Sequence, residues 1–153
     1  MTSSPRTTPT DLVAVVAAAL ERASAVRPRV GGFPYLAESL RAAGVSAYIF
    51  DVPSSTVVYL TEQGAVLQPG SLALAGLTLI VPFDEDRLIE AIRVDQRGES
   101  SFPEFVEATF QSGVIRYEVD TAARTCTYRG PGEEKYVESY PAVTLPAVDG
   151  ERR

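Results

Sequence analysis

Two pairs of carboxylates recur at equal spacing and are the residues best suited to acid–base chemistry. Glu38 precedes Glu107 by 69 positions, and Asp51 precedes Asp120 by the same interval. Two carboxylates held close together separate their pKa values, which suits general acid–base work or a hard cation. The alternative is that the glutamates lie on solvated helix faces while the aspartates brace the turns that follow them. A small enzyme using these pairs is therefore an alternative function, and we assign no catalytic residue.

Four tyrosines repeat with the same interval. Tyr48 and Tyr59 are followed 69 positions later by Tyr117 and Tyr128. All four are expected to point inward from paired strands, where aromatic pairs stabilise a sheet. A second interpretation is a pocket between helices and sheet, in which the hydroxyl groups orient a small ligand. The predicted ligand-binding set adds the two aspartates to these tyrosines: Tyr48, Asp51, Tyr59, Tyr117, Asp120 and Tyr128.

Other nucleophiles and metal ligands are scarce. The chain has one cysteine, Cys126, and no histidine, so the usual general base and the commonest transition-metal ligand are absent. Cys126 occupies an inward strand position, which favours a buried structural thiol over a reactive one. A single cysteine also excludes an intrachain disulfide framework and a cysteine-rich zinc site. We expect neither a metal nor a cofactor.

Composition is typical of a soluble globular protein. The 153 residues are 45% hydrophobic and carry a formal net charge of -6. This length suits one domain. No apolar run reaches about 18 residues, so no membrane helix is expected, and the acidic balance argues against nucleic-acid binding. Because the first residues lack the apolar stretch of a secretory signal, we expect a cytoplasmic location.

The chain repeats itself internally. Residues 33–59 and 102–128 align without a gap and share nine identities over 27 positions, whereas chance gives roughly two at ordinary residue frequencies. The matched residues include Phe-Pro at the start, a glycine in the middle and aromatic residues at fixed spacing. This pattern predicts two duplicated halves.

Each half contains signals for helices followed by strands. Ser101, Pro103 and Glu104 are typical of a capped helix start, and Gly113 is typical of its end. Residues 114–120 alternate between apolar and polar side chains, which indicates a half-buried strand. Further helices are predicted before each repeated segment, and a third strand is predicted over residues 134–140.

The first predicted hairpin is unusually apolar. Its outward positions carry Ile49, Val58 and Leu60, where the second half carries Glu118, Thr127 and Arg129. An uncovered sheet face does not normally bear so many apolar side chains. We therefore expect a cover, either the apolar segment 72–81 or a second subunit, and a homo-oligomer or protein partner bound through this hairpin.

Several motifs together resemble the YbcV-like family of uncharacterised bacterial and prophage-encoded proteins, over about residues 12–143. The motifs lie at residues 33–38, 59–64, 95–98, 102–105, 124–128 and 136–141. The resemblance implies a compact intracellular domain and supplies no catalytic motif. Because members are sometimes labelled phage envelope proteins, it also implies a virion or phage-assembly component as an alternative function.

The predicted fold is α+β, with two αα-ββ(β) halves whose helices pack on an antiparallel sheet. A single domain is expected over residues 10–143, with halves at about 10–68 and 83–140. Residues 1–9 are predicted to be a flexible leader and residues 144–153 a frayed tail. The predicted function is non-catalytic binding of a protein or a small ligand.

Overall fold

The structure is a computed structural model that describes residues 10–70 and 79–147. The predicted leader at 1–9, most of the predicted cover at 72–81 and the end of the predicted tail lie outside the described residues. The described residues form four helices and six strands: α1 (Leu12–Val26), α2 (Phe33–Ala42), β1 (Val45–Asp51), β2 (Thr56–Thr61), β3 (Gly64–Gln68), α3 (Glu85–Gln96), α4 (Phe102–Gln111), β4 (Arg116–Asp120), β5 (Thr125–Arg129) and β6 (Lys135–Ser139).

Local sequence signals explain where the helices begin. Ser101 caps α4 by accepting a hydrogen bond from the backbone of Glu104, whose side chain accepts one from the backbone of Ser101 in return. Asp11 and Asp84 cap α1 and α3 in the simpler way, each accepting one bond from a backbone N–H three residues later. Gly32 has no side chain, so α2 begins without a side-chain cap.

The strands form one antiparallel sheet in the order β3-β2-β1-β4-β5-β6. The predicted α+β fold is therefore confirmed. The central pair is β1 with β4, and its register places Ile49 opposite Glu118. Ile49 and Glu118 are the central partners of this ladder, which runs from Ala47 opposite Asp120 to Asp51 opposite Arg116. Asp51 and Asp120 therefore lie at opposite ends of the ladder.

The order helix–helix–strand–strand–strand occurs twice along the chain. Helices α2 and α4 start 69 positions apart and both carry proline in their first turn. Ser55 and Arg124, also 69 positions apart, are the non-glycine residues with positive φ in the described part of the chain. The two residues occupy corresponding positions in the turns β1–β2 and β4–β5. The origin of the halves by duplication stays a prediction.

The core lies between the four helices and one face of the sheet. Every helix contributes buried apolar side chains to it, among them Leu40, Leu88 and Val106. The sheet contributes Phe50 and Val119 from its two central strands, together with the tyrosines. Alternation along the strands turns the intervening side chains to the other face, called the open face below, which no described helix covers. None of the described helices is long and apolar enough to cross a bilayer.

Candidate functional site

The four predicted tyrosines form part of the core. All are buried, and the rings of Tyr48 and Tyr59 lie 5.7 Å apart between centroids, close to the 5.5 Å between Tyr117 and Tyr128. Burial raises the pKa of Tyr48, Tyr117 and Tyr128 well above 10, so these phenols stay protonated. Their position matches aromatic packing, and their ligand-binding role stays a prediction.

The two aspartates brace turns. The carboxylate of Asp51 accepts bonds from the backbone and hydroxyl of Ser54, and that of Asp120 accepts from the backbone of Ala122 and Ala123. The β1–β4 register separates the two residues by four positions, about 13 Å along the strands. The structure therefore does not bring this pair together.

The two glutamates contact different residues, each on its own helix. Glu38 forms a paired contact with the guanidinium of Arg41, at 2.6 and 2.8 Å, and this hydrogen bonding lowers the pKa of Glu38. Glu107 is exposed and accepts a 3.4 Å bond from Gln111 one turn later. Over residues 10–70 and 79–147, no group of three or more carboxylate, thiol or imidazole side chains is placed to hold a metal ion.

Cys126 is buried, as the alternation predicts. Burial raises the pKa of its thiol to about 12, so almost no thiolate exists near neutral pH. Reactive cysteines need exposure and a neighbouring positive charge. The geometry therefore matches a structural thiol.

The sequence did not predict a half-buried charge network at the edge of the sheet. Glu138 on β6 points to the helix side, where it accepts bonds from Arg93 of α3 and Tyr136 of its own strand. Burial acts to raise the pKa of Glu138, but these hydrogen bonds outweigh it and leave the pKa below 4.5. Alternation in 135–139 places Tyr136 and Glu138 on one face, whereas Arg93 lies 45 residues away in sequence.

The open face has two chemically different halves. We name Ala47, Ile49, Val58, Leu60 and Leu67 the apolar half-face. Register aligns Leu67, Val58 and Ile49 across β3, β2 and β1 in one continuous row. Two of its large apolar side chains are exposed to solvent, Leu67 by 62% and Leu60 by 36%.

The other half of the open face is mainly polar. The same row continues from Ile49 to Glu118, Thr127 and Val137. Glu118 accepts bonds from Arg116 at 3.3 Å and from Arg129 at 3.1 Å. The contrast predicted between the two hairpins is thus a contrast between two halves of one continuous surface.

A cleft of about 880 Å³ opens at the end of the sheet where β1 begins. Its walls come from the start of α1, the end of α2, the turns after β2 and β4, and residues 142–143. Its charged groups are Arg124, Glu62 and the Glu38–Arg41 pair, and its apolar surface includes Leu12 and Val15. Because Gly44 also lines it, we name it the Gly44 cleft.

Fold and surface together define a small α+β protein in which four described helices cover one face of a six-stranded antiparallel sheet, whose other face is half apolar. The chain belongs to the family described as "Protein of unknown function (DUF1398)", whose model matches residues 23–138. It is similar to the uncharacterized proteins Mb2035 of Mycobacterium bovis and Rv2012 of Mycobacterium tuberculosis. Each is 44% identical over 117 residues, which is 76% of this chain and 71% of the relative.

These comparisons confirm the expected family of unknown function in its broad form. The narrower YbcV-like identification and its link to prophages stay predictions.

Proposed function

We propose that this protein acts by non-catalytic binding, and that the apolar half-face associates with a second copy of the chain. The observation that carries the proposal is the continuous row of Leu67, Val58 and Ile49 across three strands. Fully burying one exposed leucine side chain contributes about 1.5–3 kcal/mol. A face with several apolar residues, two of them exposed leucines, is typical of a protein interface.

The apolar half-face suits a copy of itself. A two-fold interface brings the same patch of both subunits together, so the patch has to be self-complementary. An apolar row on a sheet face meets this requirement, because it carries no charge that would face a like charge on the partner. The polar half, with Arg116, Arg129 and Glu118, lies beside this contact.

The edge strands also support association through the apolar half-face. The outer edge of β3 has no strand partner among the described residues, and Gly64–Gln68 contains no charged residue and no proline. The opposite edge, β6, carries Lys135 and the inward-pointing Glu138, which are devices that discourage pairing between sheets. The edge beside the apolar half-face is thus the less protected one.

The placement of the reactive groups supports a non-catalytic role. The thiol of Cys126 is buried, the aspartates brace turns, and Glu38 is neutralised by Arg41. The competing proposal of a small enzyme would need carboxylates that share a site. Self-association also suits the virion or assembly role that the resemblance implies, and the bacterial cytoplasm remains the location we propose.

The test is the molar mass in solution, measured by size-exclusion chromatography with light scattering over a range of concentrations. We expect a dimer for the wild type and a monomer for Val58→Lys, since a lysine in the central row places like charges against each other. Thr127→Lys is the matched control, because it occupies the corresponding strand position on the polar half, and it should remain dimeric.

Leu67→Lys is a second variant that keeps the test decisive if Val58→Lys folds poorly, because Leu67 is already 62% exposed. It should also be monomeric, with an unchanged circular dichroism spectrum. A wild type that stays monomeric at every concentration would overturn the proposal and point instead to a cover by residues 72–81. Equal dimerisation of both lysine variants and the control would overturn it as well.

A further inference from the structure

Two glycines in corresponding positions have opposite surroundings. Gly44 and Gly113 each follow a helix that begins with Phe-Pro, and each has a positive φ, 97° and 85°. A Cβ added at Gly113 would lie 2.5 Å from both the Cα of Phe83 and the carbonyl oxygen of Pro82. A Cβ added at Gly44 would meet no described atom within 4 Å. The same place is filled in one half of the molecule and open in the other.

The filled place holds an extended segment of the chain itself. Phe83 is half-buried against Gly113 and Gly130, and the backbone N–H of Asp84 donates a 2.8 Å bond to the carbonyl oxygen of Ser112. Asp84 then caps α3. Residues 82–84, with the sequence Pro-Phe-Asp, thus close this end of the sheet with one aromatic ring and one backbone hydrogen bond.

The open place is the Gly44 cleft. Ala43 and Thr61, which line the cleft, stand 69 positions before Ser112 and Gly130. In the sequence, the aspartates that cap α1 and α3 follow Pro-Thr and Pro-Phe, so an alignment on these caps, which lie 73 positions apart, sets Thr10 against Phe83. Thr10 lines the cleft. A threonine side chain is smaller than a phenylalanine side chain and leaves space for a ring.

One charge of the cleft is available to an acidic ligand. Two arginines and two glutamates line the cleft, and Arg41 is already paired with Glu38. In the described part of the chain Arg124 makes no ion pair within 4 Å, and its charge reaches Glu38 only at longer range, where it helps to lower the pKa of that carboxyl. Arginine binds carboxylates by charge-assisted hydrogen bonds. Leu12 and Val15 also line the cleft and give it an apolar surface that suits a ring.

We propose that the Gly44 cleft binds an extended peptide segment of a partner protein, in which an aromatic residue is followed by an acidic one. The aromatic ring occupies the space that Phe83 fills in the other half, and the carboxylate contacts Arg124. The proposal concerns a surface separate from the apolar half-face and does not depend on self-association.

The probe is a fluorescein-labelled peptide of the protein's own residues 80–85, Ile-Val-Pro-Phe-Asp-Glu, added to the full chain. We expect saturable binding by fluorescence anisotropy, with amide chemical-shift changes concentrated at Gly44, Ser46 and Thr61. A peptide with alanine in place of phenylalanine should bind about thirtyfold more weakly, because it leaves the ring's space empty. Absence of saturable binding, or shifts centred on Gly113 and Gly130, would refute the proposal.

Two variants of the protein test the individual contacts. Thr10→Phe should fill the cleft and weaken binding at least tenfold. Arg124→Asn, which tolerates the positive φ of 56°, should weaken it about tenfold through loss of a charge-assisted bond. Arg29→Asn, an exposed arginine that does not line the cleft, is the matched control and should leave the affinity unchanged. Unchanged affinity in both test variants would overturn the assignment.

Val58→Lys separates this proposal from the proposed self-association. The monomeric variant should bind the peptide as tightly as the wild type. Loss of peptide binding in this variant, with its fold intact, would show that the cleft is not an independent site.

Discussion

The glycines at 44 and 113 give a quantitative test of the difference between the two ends of the sheet. An alanine at either position has to adopt a positive φ, which costs about 1–2 kcal/mol for an L-residue. At Gly44 nothing described lies within 4 Å of the new methyl group, so Gly44→Ala should lower the free energy of unfolding by only this amount. The φ values of 97° and 85° make the backbone contribution similar at the two sites.

Gly113→Ala has an additional steric cost. The new Cβ would lie 2.5–2.6 Å from backbone atoms of residues 82 and 83, and backbone cannot move aside as the end of a flexible side chain can. Overpacking of this kind typically adds about 1–3 kcal/mol. We therefore expect Gly113→Ala to lower the free energy of unfolding by about 2–5 kcal/mol, at least 1 kcal/mol more than Gly44→Ala.

The measurement is urea denaturation followed by circular dichroism, with the two variants compared at equal protein concentration. The double variant Gly113→Ala with Phe83→Ala is the control. It removes the phenyl ring but keeps the clash with the backbone, so it should be no more stable than Gly113→Ala. Equal losses for Gly44→Ala and Gly113→Ala would refute the reasoning, because they would mean that residues 82–83 do not press on Gly113.

Two further predictions concern a buried thiol and a half-buried carboxylate. Cys126 should not react with a thiol reagent in the native protein at pH 8, because burial raises its pKa to about 12, and it should react fully in urea; rapid native labelling would contradict its burial. Glu138→Gln should lower stability by about 1 kcal/mol at pH 7. Since the pKa of Glu138 is below 4.5 in the fold, this contribution is present above that value and is lost as pH falls through the folded pKa, so wild type and variant should converge in acid. Stability curves that stay parallel down to acid pH would exclude the ion pair.

Local signals in the sequence predicted the elements well. Pro103 with Ser101 marks the start of α4, and alternation from Arg116 to Asp120 marks β4, because caps and strand faces depend on neighbouring residues. The turns braced by the aspartates were one of two interpretations that the sequence left open. The inward tyrosines followed from the same alternation.

The rest depends on contacts between distant residues. The sequence does not show that β1 pairs with β4, because many strand orders satisfy the same alternation. The bond from Arg93 to Glu138 joins residues 45 positions apart. The Gly44 cleft is recognised only by comparing the surroundings of Gly44 and Gly113. Phe83 packs against Gly113, whereas Thr10 lines the cleft at Gly44, and the sequence alone does not show either contact.

The Gly44 cleft and the apolar half-face share no residue: one lies at the end of the strands, the other on their broad side. A pair of chains joined through the half-face would therefore carry two clefts, one on each chain. Such an assembly is bivalent, and a partner carrying two copies of the aromatic–acidic motif on one flexible chain would meet the second cleft at an effective concentration in the millimolar range. Weak individual contacts would then suffice for stable capture.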